Sequence, residues 1–192
     1  MAEPDPAIML RRTAPAAMAD VVRAGFSCRL EHGLGIAKLH VFGAEPEARF
    51  RAVIGSDAPR AGTQTGTQTS DGELSFAWLA PGEWLLTGSE AAVAASVARL
   101  CGLGADDLLA IDVSHARAAF LVEGANSRLA LAAHCPLDLW TEVFPVDAVA
   151  RSLLGDAGMF IARLADAHDV PRFRIIVDQT MAAYAGRLFA RT

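Results

Sequence analysis

The sequence predicts an α+β protein in which one antiparallel arrangement of strands and helices occurs twice. Apolar residues alternate with small ones over residues 74–78, with the period of two of a half-buried strand. The predicted elements follow the order strand, helix, strand, strand, helix in both halves of the chain. This order predicts two ferredoxin-like units that form a duplicated antiparallel-sheet domain, with helices on one face of each sheet.

The two predicted units occupy residues 26–113 and 114–192. Before them, residues 1–25 mix prolines and alanines with weak periodicity, so we expect an N-terminal arm with one short helix. Residues 56–72 are rich in glycine, threonine and glutamine, a composition too polar to pack into a core. We therefore expect a mobile loop over residues 56–72, inside the first unit.

Turn and cap residues define the elements of the first unit. Pro81 and Gly82 favour a reverse turn between two strands, because proline presets φ and glycine accepts a positive φ. Ser89 is placed to cap the next helix, which ends near Gly102. The predicted elements are strand 29–42, helix 46–54, strand 74–78, strand 83–87, helix 90–100 and strand 108–113. The last strand either completes the first unit or crosses between the units.

The second unit repeats this order. Asp178 or Thr180 caps a final helix, on which Met181, Tyr184 and Leu188 share one face. The preceding elements are strand 118–122, helix 126–134, strand 159–164 and strand 173–177. The two sheets could also join edge to edge, and the sequence does not say which strand edges pair.

Composition and charge exclude several classes of protein. The chain has 192 residues, is 53% hydrophobic and carries a net charge of −5, and its Lys and Arg residues are scattered. Nucleic-acid binding relies on clustered cations, so we expect no nucleic-acid partner. No uncharged run approaches the roughly 20 apolar residues of a membrane span, and the acidic start lacks signal-peptide order. We therefore expect a cytoplasmic protein without membrane contact.

Motifs of known chemistry are missing from the sequence. The five histidines and three cysteines show no paired spacing that could aim two ligands at one metal ion. Glycine runs lack the pattern of a phosphate-binding loop, and no serine has the flanking glycines of a nucleophile elbow. We predict neither catalytic residues nor a metal site, and no cofactor-binding residue can be assigned.

The densest polar cluster lies between the predicted strands 108–113 and 118–122. It contains Asp112, Ser114, His115 and Arg117. Polar groups where two strands join need partners. One interpretation is a strand-end network in which Asp112 accepts backbone N–H groups and Arg117 pairs with a carboxylate. The other places the cluster at a subunit interface or ligand surface.

Several segments together resemble one protein family. They are LAPGEWLL at residues 79–86, DVSHAR at 112–117, CPLDL at 135–139 and ARSLLG at 150–155. In order and spacing they resemble the gamma subunit of heterotetrameric sarcosine oxidase, from about residue 74 to the C-terminus. Parts of the first two also resemble the related folate-binding domains of aminomethyltransferases, which share the duplicated fold.

The resemblance implies a non-catalytic gamma subunit that supports the assembly of a flavoenzyme. Such a complex demethylates sarcosine oxidatively, with tetrahydrofolate as the one-carbon acceptor. FAD, FMN, NAD and tetrahydrofolate are then implied for the complex and none for this chain. The implied partners are the larger alpha and beta subunits and the small delta subunit. The alternative is a free-standing tetrahydrofolate-binding or aminomethyl-transfer protein.

Overall fold

The computed structural model describes residues 19–69, 72–104 and 106–191. These residues form two antiparallel sheets and four α-helices. The strands are β1 (Val21–Arg23), β2 (Phe26–Leu30), β3 (Leu34–Val41), β4 (Gln64–Thr69), β5 (Gly72–Ala80), β6 (Glu83–Ser89), β7 (Leu108–Asp112), β8 (Arg117–Glu123), β9 (Val149–Leu154), β10 (Ala157–Ala167) and β11 (Val170–Asp178). The helices are α1 (Pro46–Ile54), α2 (Glu90–Gly102), α3 (Ser127–Ala132) and α4 (Ala182–Arg191).

The two sheets repeat the same strand arrangement. The first has the order β4-β5-β6-β3-β7, and the second has the order β9-β10-β11-β8-β2-β1 when it is written in the same direction. In each, a strand, a helix, three successive antiparallel strands and a second helix follow one another in the chain, which is the order of a ferredoxin-like unit with one strand added. The predicted duplicated α+β fold is confirmed.

The fifth strand of the second sheet comes from the N-terminal side of the chain. β7 completes the first sheet by pairing with β3, whereas β2 holds the same place in the second sheet by pairing with β8. We placed residues 26–30 in the first unit, and their pairing with β8 corrects that assignment. Pairing between strands this far apart in the chain depends on tertiary packing, which local periodicity does not report.

The sheets pack face to face, with the helices on the two outer sides. Ile36 and Leu85 of the first sheet pack with Phe160 and Ile176 of the second in a central apolar cluster. On the outer sides, α1 and α2 cover the first sheet and α3 and α4 cover the second. One corner also links the sheets, because Thr63 and Ala148 form an isolated bridge between the starts of β4 and β9.

The mobile loop predicted over residues 56–72 is wrong for its second half. Residues Gln64–Thr69 form β4, which pairs with β5 along its whole length. Threonine is β-branched and favours strands, so backbone bonding to β5 outweighs the polar and glycine-rich composition. The predicted N-terminal arm 1–25 lies outside the described residues, except that its end contains β1.

Most local predictions are confirmed by the backbone. The Ser89 side chain accepts a hydrogen bond from the Ala92 amide at the start of α2, and α1 has the predicted bounds. Gly82 has φ 74°, and a Cβ there would lie 2.6 Å from the Val41 carbonyl oxygen, so the turn requires glycine. The single strand predicted over 29–42 is interrupted, because Gly33 (φ 75°) lies in a turn between β2 and β3.

The final helix contacts the sheet through its small residues and Phe189. Its buried residues are Ala182, Ala185, Gly186 and Phe189, whereas Met181, Tyr184 and Leu188 are half-buried at the side of the contact. Both sets have helical spacing, and the alanines and glycine allow the backbone to approach the sheet closely.

Among the described residues the longest helix has 13 residues, and none combines the length and apolar character of a membrane-spanning helix.

The aromatic cluster under α1 should carry much of the stability of the first half. Trp84 is fully buried, and its ring lies 4.7 Å from the ring of Phe50, measured between centroids. Trp84→Ala should lower the free energy of unfolding by about 3–5 kcal/mol, because it leaves a cavity in packed surroundings. Trp140 is 58% exposed, so Trp140→Ala should change the free energy of unfolding by less than about 0.5 kcal/mol. Denaturant unfolding measures both, and equal losses would contradict the packing described.

Candidate functional site at the junction of the two sheets

The polar cluster predicted from the sequence lies in the connection from β7 to β8, where the chain passes from one sheet to the other. Asp112 Oδ1 accepts hydrogen bonds from the Ser114 amide (2.8 Å) and from its hydroxyl (2.6 Å). The Ser114 hydroxyl oxygen in turn accepts a hydrogen bond from the Ile36 amide at 2.8 Å, in a buried position. Asp112 and Ser114 therefore hold the start of β3 to the strand connection.

Arg117 and Asp178 form the second half of the cluster. Arg117 Nη1 donates to Asp178 Oδ2 at 2.8 Å, across the paired strands β8 and β11. Asp178 Oδ1 accepts from the hydroxyl (2.7 Å) and the amide (3.0 Å) of Thr180, so Asp178 is the predicted cap. These bonds from Thr180, followed by the charge of Arg117, lower the pKa of Asp178. The contacts expected for Asp112 and Arg117 in a strand-end network are thus present, while a role at an interface stays a prediction.

His115 is the predicted site residue that the structure does not bring into this network. Residues Ser114–Ala116 form a 3-10 turn, in which Ser114 is buried and His115 is exposed. The turn lies between the predicted strands 108–113 and 118–122. The Asp112 carboxylate stabilises the turn by accepting the Ser114 amide, as short polar side chains do next to their own backbone.

Beside Arg117, a cleft of about 640 Å³ opens between the two sheets. The first sheet contributes Lys38 and Leu85, and the second contributes Arg117, Arg151 and Phe160. Its apolar floor continues the central cluster, and three cations stand around it with one carboxylate, Asp178. The cleft is therefore a positively charged opening with an apolar base, and both oxygens of its carboxylate are already hydrogen-bonded.

Sequence reasoning missed Lys38 and Arg151 as members of this cleft. Lys38 is the one charged residue on the face of β3 that also carries Leu34 and Ile36. A charged residue in an otherwise apolar row of a strand indicates that this part of the face is open to solvent or to a ligand, so the sequence pattern could have identified Lys38. Arg151 belongs to β9, and only the packing of the two sheets brings it to the same cleft as Lys38. No local pattern could have paired them.

Reactive groups elsewhere in the described part of the chain are few. Burial, with a smaller effect from Asp20, raises the pKa of the Cys28 thiol to about 12, so this cysteine remains a protonated thiol in the core. Within the described residues, no three His, Cys, Asp or Glu side chains are grouped to hold a metal ion.

Comparison with known proteins places the chain in a family. The family model described as "Sarcosine oxidase, gamma subunit family" matches residues 46–187, a span that starts before the motifs quoted above. The chain belongs to this gamma subunit family. The matched span contains the β7–β8 connection with its polar cluster, as well as Arg151 and Asp178 of the cleft.

Solved structures of other proteins share this fold. One chain of "Heterotetrameric Sarcosine Oxidase from Corynebacterium sp. U-96 in complex with pyrrole 2-carboxylate" is similar, with TM-score 0.74 and 22% identity over 98% of this chain and 93% of that one. Glycine cleavage system aminomethyltransferase T from Bartonella henselae has TM-score 0.68 and 14% identity, over 87% of this chain and 46% of its own. No curated protein sequence matches this chain.

The Ser114 hydroxyl should stabilise the junction between the sheets. Ser114→Ala leaves the buried Ile36 amide without its acceptor, so we expect a loss of about 1–3 kcal/mol in the free energy of unfolding. Ser75 on β5 is half-buried, and its hydroxyl has no hydrogen-bond partner among the described residues, so Ser75→Ala is the matched control. Denaturant titration of the two variants compares them, and equal stabilities would show that the bond is not structural.

The lowered pKa of Asp178 predicts a pH dependence of stability. The pKa of the Asp178 carboxyl is lower in the folded chain than in the unfolded chain. At a pH between these two values the unfolded chain binds more protons, so the free energy of unfolding rises with pH. This stabilisation is lost as the pH falls through the folded pKa. Asp178→Asn should therefore lose less stability than wild type when the pH falls from about 5 to about 3. Thr180→Val removes the side-chain hydrogen bond that lowers the pKa of Asp178 most, so its loss of stability over this pH range should lie between those of wild type and Asp178→Asn. Unfolding midpoints at both pH values measure this, and parallel profiles would rule it out.

Proposed function

We propose that this chain is the gamma subunit of a heterotetrameric sarcosine oxidase and that it supports assembly without catalysing a step itself. The family match over residues 46–187 carries the proposal. The similar chain of the Corynebacterium enzyme comes from a heterotetramer, and its alignment covers 93% of that chain. The proposed partners are the larger alpha and beta subunits and the small delta subunit, in the cytoplasm.

The geometry of the polar cluster supports a structural role for its residues. The Asp112 carboxylate and the Ser114 hydroxyl are occupied in joining β3 to the strand connection. Arg117 is occupied with Asp178, which also caps the turn before α4. These side chains hold the backbone in position through their hydrogen bonds. A catalytic acid or base must instead be able to exchange a proton with a substrate.

We place the cofactors of the complex, FAD, FMN, NAD and tetrahydrofolate, on the other subunits. The alternative of a free-standing tetrahydrofolate-binding or aminomethyl-transfer protein is not favoured. A folate site of the kind that we expect in this fold needs a carboxylate directed at the pterin ring. Among the described residues that line the cleft between the sheets, the one carboxylate is Asp178, whose two oxygens are hydrogen-bonded to Arg117 and Thr180.

Co-expression with the neighbouring subunits tests the proposal. The full chain expressed with alpha, beta and delta subunits should purify as one complex that oxidises sarcosine, whereas the chain alone should show neither flavin absorbance nor sarcosine oxidation. Leaving the chain out should reduce the amount of assembled complex. The controls are the same three subunits with and without this chain, measured by gel filtration and hydrogen peroxide formation.

Two results would contradict the proposal. One is a flavin band or sarcosine oxidation in the purified chain alone, which would make it an enzyme in its own right. The other is binding of tetrahydrofolate by the isolated chain in a calorimetric titration, which would favour the alternative instead.

A further inference from the structure

The internal duplication shows an asymmetry between the two sheets. Strand by strand, the order β4-β5-β6-β3-β7 corresponds to β9-β10-β11-β8-β2. The second sheet continues beyond β2 with β1, which pairs with it antiparallel from Val21–Cys28 to Arg23–Phe26. Among the described residues no strand pairs with the corresponding side of β7. One sheet thus has a strand at a position where its duplicate has an open edge.

The backbone of β7 presents alternate residues to this open side. The Val113 amide donates to the Ile36 carbonyl, and the Phe42 amide donates to the Asp107 carbonyl. Opposite residues of an antiparallel pair alternate between hydrogen-bonded and non-hydrogen-bonded positions, so these two bonds show which residues of β7 bond to β3. By that alternation, Leu109 and Ile111 bond to β3. Leu108, Ala110 and Asp112 then direct their amide and carbonyl groups toward the edge, where the Ala110 carbonyl accepts a hydrogen bond from the Cys101 thiol at 3.5 Å. The other groups of this row have no hydrogen bond among the described residues. Unpaired groups in a row of this kind are a template for an added strand.

Apolar side chains surround the same edge. Leu109 is 44% and Ile111 45% exposed. Phe42, whose ring is tilted against the His40 ring with centroids 4.0 Å apart, is 47% exposed. Leu109 and Ile111 line a shallow groove that Leu79 continues toward the cleft between the sheets. Edge strands that remain open usually carry an internal lysine or proline, and β7 has neither.

We propose that β7 is the docking edge for an extended segment of another subunit, which adds antiparallel to the first sheet as β1 does to the second. This rests on the proposed function, because it names the surface through which the gamma subunit joins its complex. The segment has an apolar residue at every second position, over Leu109 and Ile111. It has a basic residue near its ends, since Asp106 and Asp112 are exposed at the two ends of β7.

Charge argues against a second copy of this chain as the occupant. Antiparallel pairing of two β7 strands centred on Ala110 would place Asp112 of one copy opposite Leu108 of the other. Asp112 would then be diagonal to Asp106 of that copy, and the same would hold in reverse across the two-fold axis. Like charges at these cross-strand positions destabilise a pair. The edge is therefore better suited to a different chain with basic flanks.

Two matched variants test the docking edge in the full complex. Leu109 lies in β7 and Leu129 lies on α3 of the other half, and both leucines are exposed. Leu109→Lys places a charge on the docking face, so it should weaken association with the alpha, beta and delta subunits by about tenfold or more. Leu129→Lys should assemble like wild type. Both isolated variants should keep the wild-type unfolding midpoint.

Amide hydrogen exchange resolves the backbone contact. On assembly, the amides of Leu108, Ala110 and Asp112 should exchange about tenfold or more slowly, whereas those of Leu109 and Ile111 should be protected in the free chain and in the complex alike. Unchanged exchange at the first three amides in an assembled wild-type complex would overturn the docking edge and leave the proposed function standing.

The remaining outcomes also decide the question. Protection of the same amides in the isolated chain identifies a different occupant: a second copy if it grows with protein concentration, or residues 1–18 of the same chain if it does not. Either result overturns the proposal, as does equal loss of assembly with Leu129→Lys. Failure of the wild-type chain to assemble with the three subunits would overturn the proposed function and this inference together.

Discussion

The apolar layer between the two sheets is the contact on which the rest of the structure depends. Each sheet already buries one face under its own pair of helices, so its second face would be left in water without the other sheet. Ile36 and Leu85 meet Phe160 and Ile176 there and remove both faces from water together. We therefore expect that neither half folds stably alone, because the inner apolar face of each sheet is buried only when the other sheet is present.

The layer also explains where the polar groups lie. Toward its end the apolar side chains give way to Lys38 and Arg151, and the cleft opens between the sheets. The chain passes from the first sheet to the second beside this opening, where Asp112 and Ser114 bond the connection to β3. The polar cluster lies where the two halves of the duplicated fold are connected. Its side chains are needed there to hydrogen-bond the connection, which explains why polar residues are concentrated in this part of the sequence.

Duplication makes the differences between the halves informative. Both sheets share five equivalent strand positions, and β7 and β2 fill the same one from opposite directions in the chain. Beyond them the halves diverge, with β1 on one side and an open apolar edge on the other. In a chain of the gamma subunit family, we propose this open edge as the place of contact with a neighbouring chain.

The sequence by itself determined the features that depend on neighbours along the chain. The β5–β6 hairpin, the Ser89 cap, the bounds of α1 and the bonding of Asp112 to its own backbone all follow from residues a few positions apart. The tertiary structure alone decided that β2 joins the second sheet, that residues 64–69 form a strand, and that Lys38 and Arg151 share a cleft. These depend on pairing and burial between distant segments, and hydrophobic periodicity constrains which face is buried without specifying its partner.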